Sequence, residues 1–471
     1  MKIVLIHYHL KTGGVTTVIQ RQATALQTAG WEVMILTGEA PPDDFPFSVS
    51  FIPGLGYEHL LEGDHSAENV YRSILSTIQR RWPSGPDVVH IHNPTLAKNK
   101  ILQTILKKLQ SAGMTLLCQI HDFAEDGRPD AYFDESYVSD CHYAVVNQRD
   151  YRLMLDAGLD PKGCHMLPNP VSTSDVQSPA AHDEQGSILY PIRAIRRKNI
   201  GEAILLSLYV TPPGLIQITL PPNSPGDIGP YNHWRDFVQR HRLSVQFESG
   251  LKQDFGTLMQ RCRYVLTTSI TEGFGFAFLE SWCMGKALWG RLLPDICGSY
   301  IDAGIRLDHL YAHLVVPIHW LDGDALRKQW KAAMHSASER YNFALSKQQI
   351  DDAWRVVVSG DFIDFGLLSE PFQRQIIEKV MAENAAHQQL IGLNPFLSRP
   401  GPPEISGELI EQNGASVVQH YSTENYTIRL MHTYTHVANT QIRQTIDKNT
   451  LLSAFLSPYN FSLLKWGTPD E

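Results

Sequence analysis

KIVLIHYHLKTGGVTTVIQRQATALQTAGWEVMILTG, residues 2–38, reads as strand, glycine loop, helix, glycine stop and second strand. Val15, Val18, Ile19, Ala23 and Leu26 recur on one face of a 3.6-residue period, and Gly30 stands where a left-handed residue ends a helix. The stretch is a βαβ unit and predicts the opening of a parallel sheet. Outward from it, DVVHIHN (87–93) and TLLCQIHDF (115–123) are near-continuous apolar runs, separated by the helical AKNKILQTILKKLQSAG. Strands that do not alternate belong to a sheet covered on both faces. A doubly wound first domain is therefore expected over residues 1–171.

After LPNPV (167–171) comes the polar, aperiodic STSDVQSPAAHDEQG, which reads as a linker. The pattern then restarts: SILYPI, LIQITLP, LSVQFES, YVLTTS and KALWG are strand candidates between helical segments. A second α/β domain is expected over 172–340. Residues 341–471 read as a mainly helical C-terminal extension with a Pro-rich break at NPFLSRPGPPE, part of it packing back on the first domain. Two parallel-sheet domains in sequence place a ligand in a cleft outside the carboxyl ends of their strands.

Composition narrows the function classes. The 471 residues are 43% hydrophobic and 19% charged with a net charge of −9, which argues against a nucleic-acid or anionic-membrane surface. The apolar run after Lys2 is too short for a signal-peptide core, and no uncharged apolar stretch is long enough to span a bilayer. A cytoplasmic protein with no transmembrane segment is expected. The six cysteines lack a C-x-x-C pair or zinc spacing and read as small buried residues. His7/His9 and His90/His92 have strand spacing that suits a metal, yet no third ligand can be assigned, so no metal is expected.

TEGFGFAFLE, residues 271–280, carries the chemistry. It follows a strand and leads into a helix, with Gly275 to Phe278 expected as the first turn. Free amides at such a turn favour an anion, while carboxylates accept from hydroxyls. Sugar hydroxyls near Glu272, a diphosphate on the amides and ribose hydroxyls near Glu280 describe a nucleoside diphosphate sugar. Gly273, Phe274, Gly275 and Phe276 complete that donor-binding run. YPIRAIRRKN supplies cations for the diphosphate, Arg193 as a fork and Lys198 as a mobile charge, whereas Arg196 and Arg197 read as a solvated face. His121 ends a strand at the expected cleft.

These motifs resemble the family 4 glycosyltransferases, which have the GT-B fold of two Rossmann-like domains, retain anomeric configuration and use nucleotide sugars. The resemblance rests on GGVTTVI (13–19), PDVVHIHN (86–93), HDF (121–123), LPNPV (167–171), the Arg193 to Lys198 spacing, and EGFGFAFLE followed by GKAL (285–288). It implies that Glu272 meets the transferred sugar, Glu280 the ribose, and Arg193 and Lys198 the diphosphate. It also puts His121 near the C6 end of the sugar and turns the Gly13-Gly14 loop to the phosphates and acceptor. The leaving phosphate would help deprotonate the acceptor, with no metal and no permanently bound cofactor. A departure follows GKAL, where WGRLLPDICGSYIDAG (289–304) replaces the usual small residues and Gly-Gly loop.

The expected activity is transfer of a hexose from a UDP- or GDP-sugar to a hydroxyl of a small soluble acceptor, with Glu272, His121, Arg193 and Lys198 in catalytic roles. Assembly as a homo-oligomer is compatible with this, and nucleic acid is not a partner. The rival readings are a sugar phosphorylase or nucleotide-sugar epimerase on the same fold, and a non-catalytic nucleotide-sugar-binding subunit.

Overall fold

A computed structural model describes residues 1–11, 13–58, 65–172, 186–210, 214–402 and 407–467. Most of the stretch read as a linker, 172–186, lies outside the described residues. Two compact units result: Met1–Val171 with Gln419–Phe455, and Ser172–Val418 with Leu456–Glu471.

The first unit holds a seven-stranded parallel sheet of β1 (Lys2–His7), β2 (Glu32–Thr37), β3 (Val49–Phe51), β4 (Val88–His92), β5 (Leu116–Ile120), β6 (His142–Val145) and β7 (Cys164–Met166), in the order β3-β2-β1-β4-β5-β6-β7. Alternation along single strands explains the double winding. Ile3 and Leu5 join one core with Val33, Ile35 and Val88, while Val4 and Ile6 join another with Met34, Leu36, Val89 and Ile91. The helix Gly14–Thr28 covers the first core through Ile19, Ala23 and Leu26. Beside it lies the helix Thr423–Asn439, through Tyr426, Leu430, Tyr434 and Val437.

The second unit has a five-stranded parallel sheet: β8 (Ser187–Arg193), β9 (Ile216–Leu220), β10 (Val245–Gln246), β11 (Cys262–Thr267) and β12 (Leu288–Gly290), ordered β10-β9-β8-β11-β12. β13 (Val315–Pro317) and β14 (Phe362–Asp364) form a separate antiparallel pair. Counted from its own first strand, each parallel sheet runs 3-2-1-4-5, with the order reversing between β1 and β4 and between β8 and β11. Such reversals open the crevice where doubly wound sheets take ligands.

Residues 341–418 and 456–467 pack with the second unit, and 419–455 with the first. No described helix is long and apolar enough to cross a membrane. All six cysteines are free and buried.

Candidate active site

The β8/β11 reversal brings together two segments singled out in the sequence. β8 ends at Arg193, and a single turn of 3-10 helix, Arg196–Lys198, follows it. β11 ends at Thr267 and releases the loop that carries Glu272. Lys198 Nζ donates to Glu272 Oε1, and Arg197 Nη1 lies 3.8 Å from Glu272 Oε2. The Glu272 side chain is 11% exposed. Burial alone would raise its carboxyl, but the Lys198 and Arg197 charges outweigh burial and hold it below the ordinary carboxylate value. Glu272 is thus an anion with two cations on it.

Arg193 donates from Nη1 to the Pro221 carbonyl at 3.0 Å. Arg196 is structural: Asp227 accepts its amide at 3.0 Å, Glu370 lies 3.3 Å from its Nε, and its Nη1 donates to Gly467 O. Arg197, expected on a solvated face, instead faces Glu272.

Gly275 to Phe278 does not form the first helical turn. Gly275 has φ +75°, a left-handed conformation that no helix continues through, and the helix runs Ala277–Cys283 with Phe276 as its N-cap. Phe278 N–H donates to Gly275 O and Leu279 N–H to Phe276 O. Among the described residues, nothing accepts from the amides of Gly275, Phe276 and Ala277. Phe274 is buried, its carbonyl accepts the Tyr300 hydroxyl, and its ring meets Phe276 edge-on at 5.0 Å. Gly273 lies between Glu272 and that anchor, and Glu280 is half-buried on the helix that follows.

In the first unit, β1 and β4 end in His7 and His92, and His121 directly follows β5. His92 Nδ1 and His121 Nε2 are 2.9 Å apart, His90 stacks on His92 at 4.4 Å, and the His7 ring meets His92 edge-on at 6.2 Å. Asn93, at φ +51°, accepts the His121 and Asp122 amides on one Oδ1 at 2.7 and 3.2 Å, which fixes the turn after β5. Burial pushes His121 down to about 4, so it is neutral at neutral pH and presents one N–H and one acceptor nitrogen. Gly13 and Gly14 are exposed at the start of the first helix, with no atom closer than 3.9 Å to the Cβ either would gain.

Residues 12–175 match the model of Glycosyltransferase Family 4. They belong to that family. The chain is also 26% identical over 316 residues to mannosylglucosyl-3-phosphoglycerate synthase of Petrotoga mobilis, covering 59% of this chain and 62% of that relative. Among solved structures it resembles sucrose-phosphate synthase from Thermosynechococcus elongatus, with TM-score 0.55 and 12% identity over 92% of this chain and 98% of that one. Anabaena HepE, solved in complex with UDP-glucose, gives 0.54 and 12% over 92% and 99%. The fold is that of the GT-B glycosyltransferases.

The matched family 4 segment contains Gly13, Gly14 and His121, whereas Arg193, Lys198 and the 272–280 run lie beyond it. The sequence signals left out the residues that hold the Lys198 and Glu272 loops. Tyr190, Thr268 and Ser269 sit in strands or at strand ends and read as ordinary sheet residues, and Tyr300 lies within the departing 289–304 segment. Only the Arg197 contact had a visible signal, its place in the RAIRRKN cluster.

Proposed function

We propose that the protein is a retaining glycosyltransferase that moves a hexose from a nucleoside diphosphate sugar to a hydroxyl of a small soluble acceptor. The Lys198–Glu272 pair at the β8/β11 reversal carries this reading. A cation and a carboxylate held together are what a ligand with both phosphates and hydroxyls would separate. The diphosphate would draw Lys198, with Arg193 beside it, and Glu272 would then accept from sugar hydroxyls. The unpaired amides of Gly275 to Ala277 would meet phosphate oxygens, and Glu280 the ribose.

The second unit would bind the donor and the first the acceptor, with neutral His121 and the Gly13-Gly14 loop as the first unit's candidate contacts. The acceptor oxygen would bond to the anomeric carbon on the face from which the phosphate oxygen departs, and its proton would pass to that phosphate. Lys198 and Arg193 would stabilise the departing charge. No group is permanently bound, and the nucleotide sugar is a co-substrate. HepE, solved with UDP-glucose, favours a UDP-sugar over a GDP-sugar. The synthase of mannosylglucosyl-3-phosphoglycerate favours a small acceptor.

Thermal shift with UDP, GDP, ADP and TDP, each with its sugars, tests this. One base should stabilise the wild type and lose its effect in Glu280→Ala. Arg193→Ala and Lys198→Ala should each weaken nucleotide binding by about 10- to 100-fold, the worth of a charge-assisted hydrogen bond. Glu272→Ala should abolish turnover, and the product anomer read by proton NMR should match the donor. No shift with any nucleotide would sink the donor site. Phosphate-dependent cleavage of a disaccharide, or conversion of the donor without an acceptor, would move the protein to the phosphorylase or epimerase class.

A further inference from the structure

Lys198 and Glu272 belong to two loops that leave different strands, and one buried oxygen joins them. Tyr190 lies in β8, fully buried, between β9 and β11. Its hydroxyl donates to the Lys198 carbonyl at 2.5 Å and accepts the Thr268 amide at 3.2 Å. The Ser269 hydroxyl stands 3.2 Å away and helps to hold the Glu272 carboxyl low. A phenol has one proton to give and two lone pairs, so all its capacity goes to these two loops. Burial drives its titration far above the ordinary phenol value, and the donor is present at every working pH.

Three further bonds cross the same seam. Thr268 Oγ1 donates to the Lys198 and Asn199 carbonyls at 3.1 and 3.0 Å, and Ile270 N–H donates to Arg197 O at 3.0 Å. Tyr190 contacts both loops from a third position, the strand beneath them. In an ordinary buried β-strand this residue would be apolar, since a hydroxyl there must be matched bond for bond.

We propose that Tyr190 is a positioning residue of the donor site: its hydroxyl sets the separation of Lys198 and Glu272, and thereby the fit of the nucleoside diphosphate they receive. This rests on the donor-site reading above. Tyr190→Phe keeps the ring and removes only the oxygen. Two measurements on the full chain separate the failures. Amide hydrogen exchange needs no ligand, and exchange across 196–199 and 267–272 should quicken at least tenfold in Tyr190→Phe, with the rest of β8 unchanged. Calorimetry with UDP and GDP should show the nucleotide diphosphate bound about tenfold more weakly by Tyr190→Phe, and that loss should fall below twofold when Lys198→Ala is already present.

A general loosening of the core would cost the same in both backgrounds and would overturn the proposal. Unchanged exchange in the two loops would overturn it whatever the wild type binds. Quickened exchange in a protein that binds neither nucleotide would overturn the donor-site reading, and with it any role for Tyr190 in fitting a diphosphate.

Discussion

Gly290 ends β12 at φ +131°, and a Cβ on it would lie 1.9 Å from the Thr267 carbonyl oxygen, which also accepts the Arg291 amide at 2.7 Å. Thr267 is where β11 releases the Glu272 loop, so the close approach of β12 is part of what fixes that loop's origin. Only a residue without a side chain fits there, and neither the torsion nor the neighbour can give way, since both are backbone. Gly290→Ala is expected to destabilise the second unit by about 2–4 kcal/mol, the range for backbone strain with a displaced strand. Gly298, inside the helix Pro294–Asp302 with nothing within 4 Å of its Cβ, is the contrast. Gly298→Ala should stabilise by about 0.5–1 kcal/mol. Urea unfolding of both variants checks the pair, and equal effects would refute the reading of Gly290.

The departing segment 289–304 supplies what the second unit is braced with. Arg291 donates from Nε and Nη2 to Glu202 at 3.0 and 2.5 Å and from Nη1 and Nη2 to Asp364 at 2.7 and 2.8 Å, with its side chain 5% exposed. It ties the helix Ile200–Ser207, which follows Lys198, to β14. Arg291→Met would leave two buried carboxylates facing each other, at an expected cost of about 3–5 kcal/mol. Adding Glu202→Gln and Asp364→Asn should recover much of it, and no recovery in urea unfolding would mean the charge is not what matters. None of this was visible as pattern, because partners 89 and 73 residues apart share no period. The central strands were legible because both their faces are covered, so β1, β2, β4, β5, β8, β9 and β11 stand out as apolar runs. β3, β6 and β7 are too short to do so. Lys198 and Glu272 were legible by charge and spacing and do meet, whereas Tyr190 looked like any aromatic in a strand. The helix start at Ala277 was misplaced by two residues, since a glycine's torsion is not written in its identity.

Across the whole chain, titration divides the two units. The first holds His7 and His90, each pushed down to about 3, His121 down to about 4 and His92 well below its ordinary value. In each case burial is the main cause, and for His7, His90 and His92 neighbouring imidazoles add to it. A second group joins His142 to His165 at 3.0 Å, with His436 edge-on to both, and burial with these neighbours takes His165 down to about 3. In the second unit, among the described residues, burial lowers His309 while the Asp364 hydrogen bond raises His313. The sign follows from linkage. Histidines held neutral in the fold take up protons near pH 6.5 only when the chain unfolds, so their stability is whole above that value. It is lost as pH falls from 6.5 towards 3 to 4. Each such group removes up to about 1.4 kcal/mol per pH unit, and two of them are enough to take about 2.5 kcal/mol between pH 6 and pH 5. Glu125 and Asp150, raised by burial, pull the other way as pH falls. Urea unfolding followed by hydrogen exchange at pH 7.5, 6 and 5 should therefore show the first unit losing stability steeply while the second changes little. No loss in the first unit would show that these histidines are already charged in the native protein, and equal loss in both would show that they do not set the pH response.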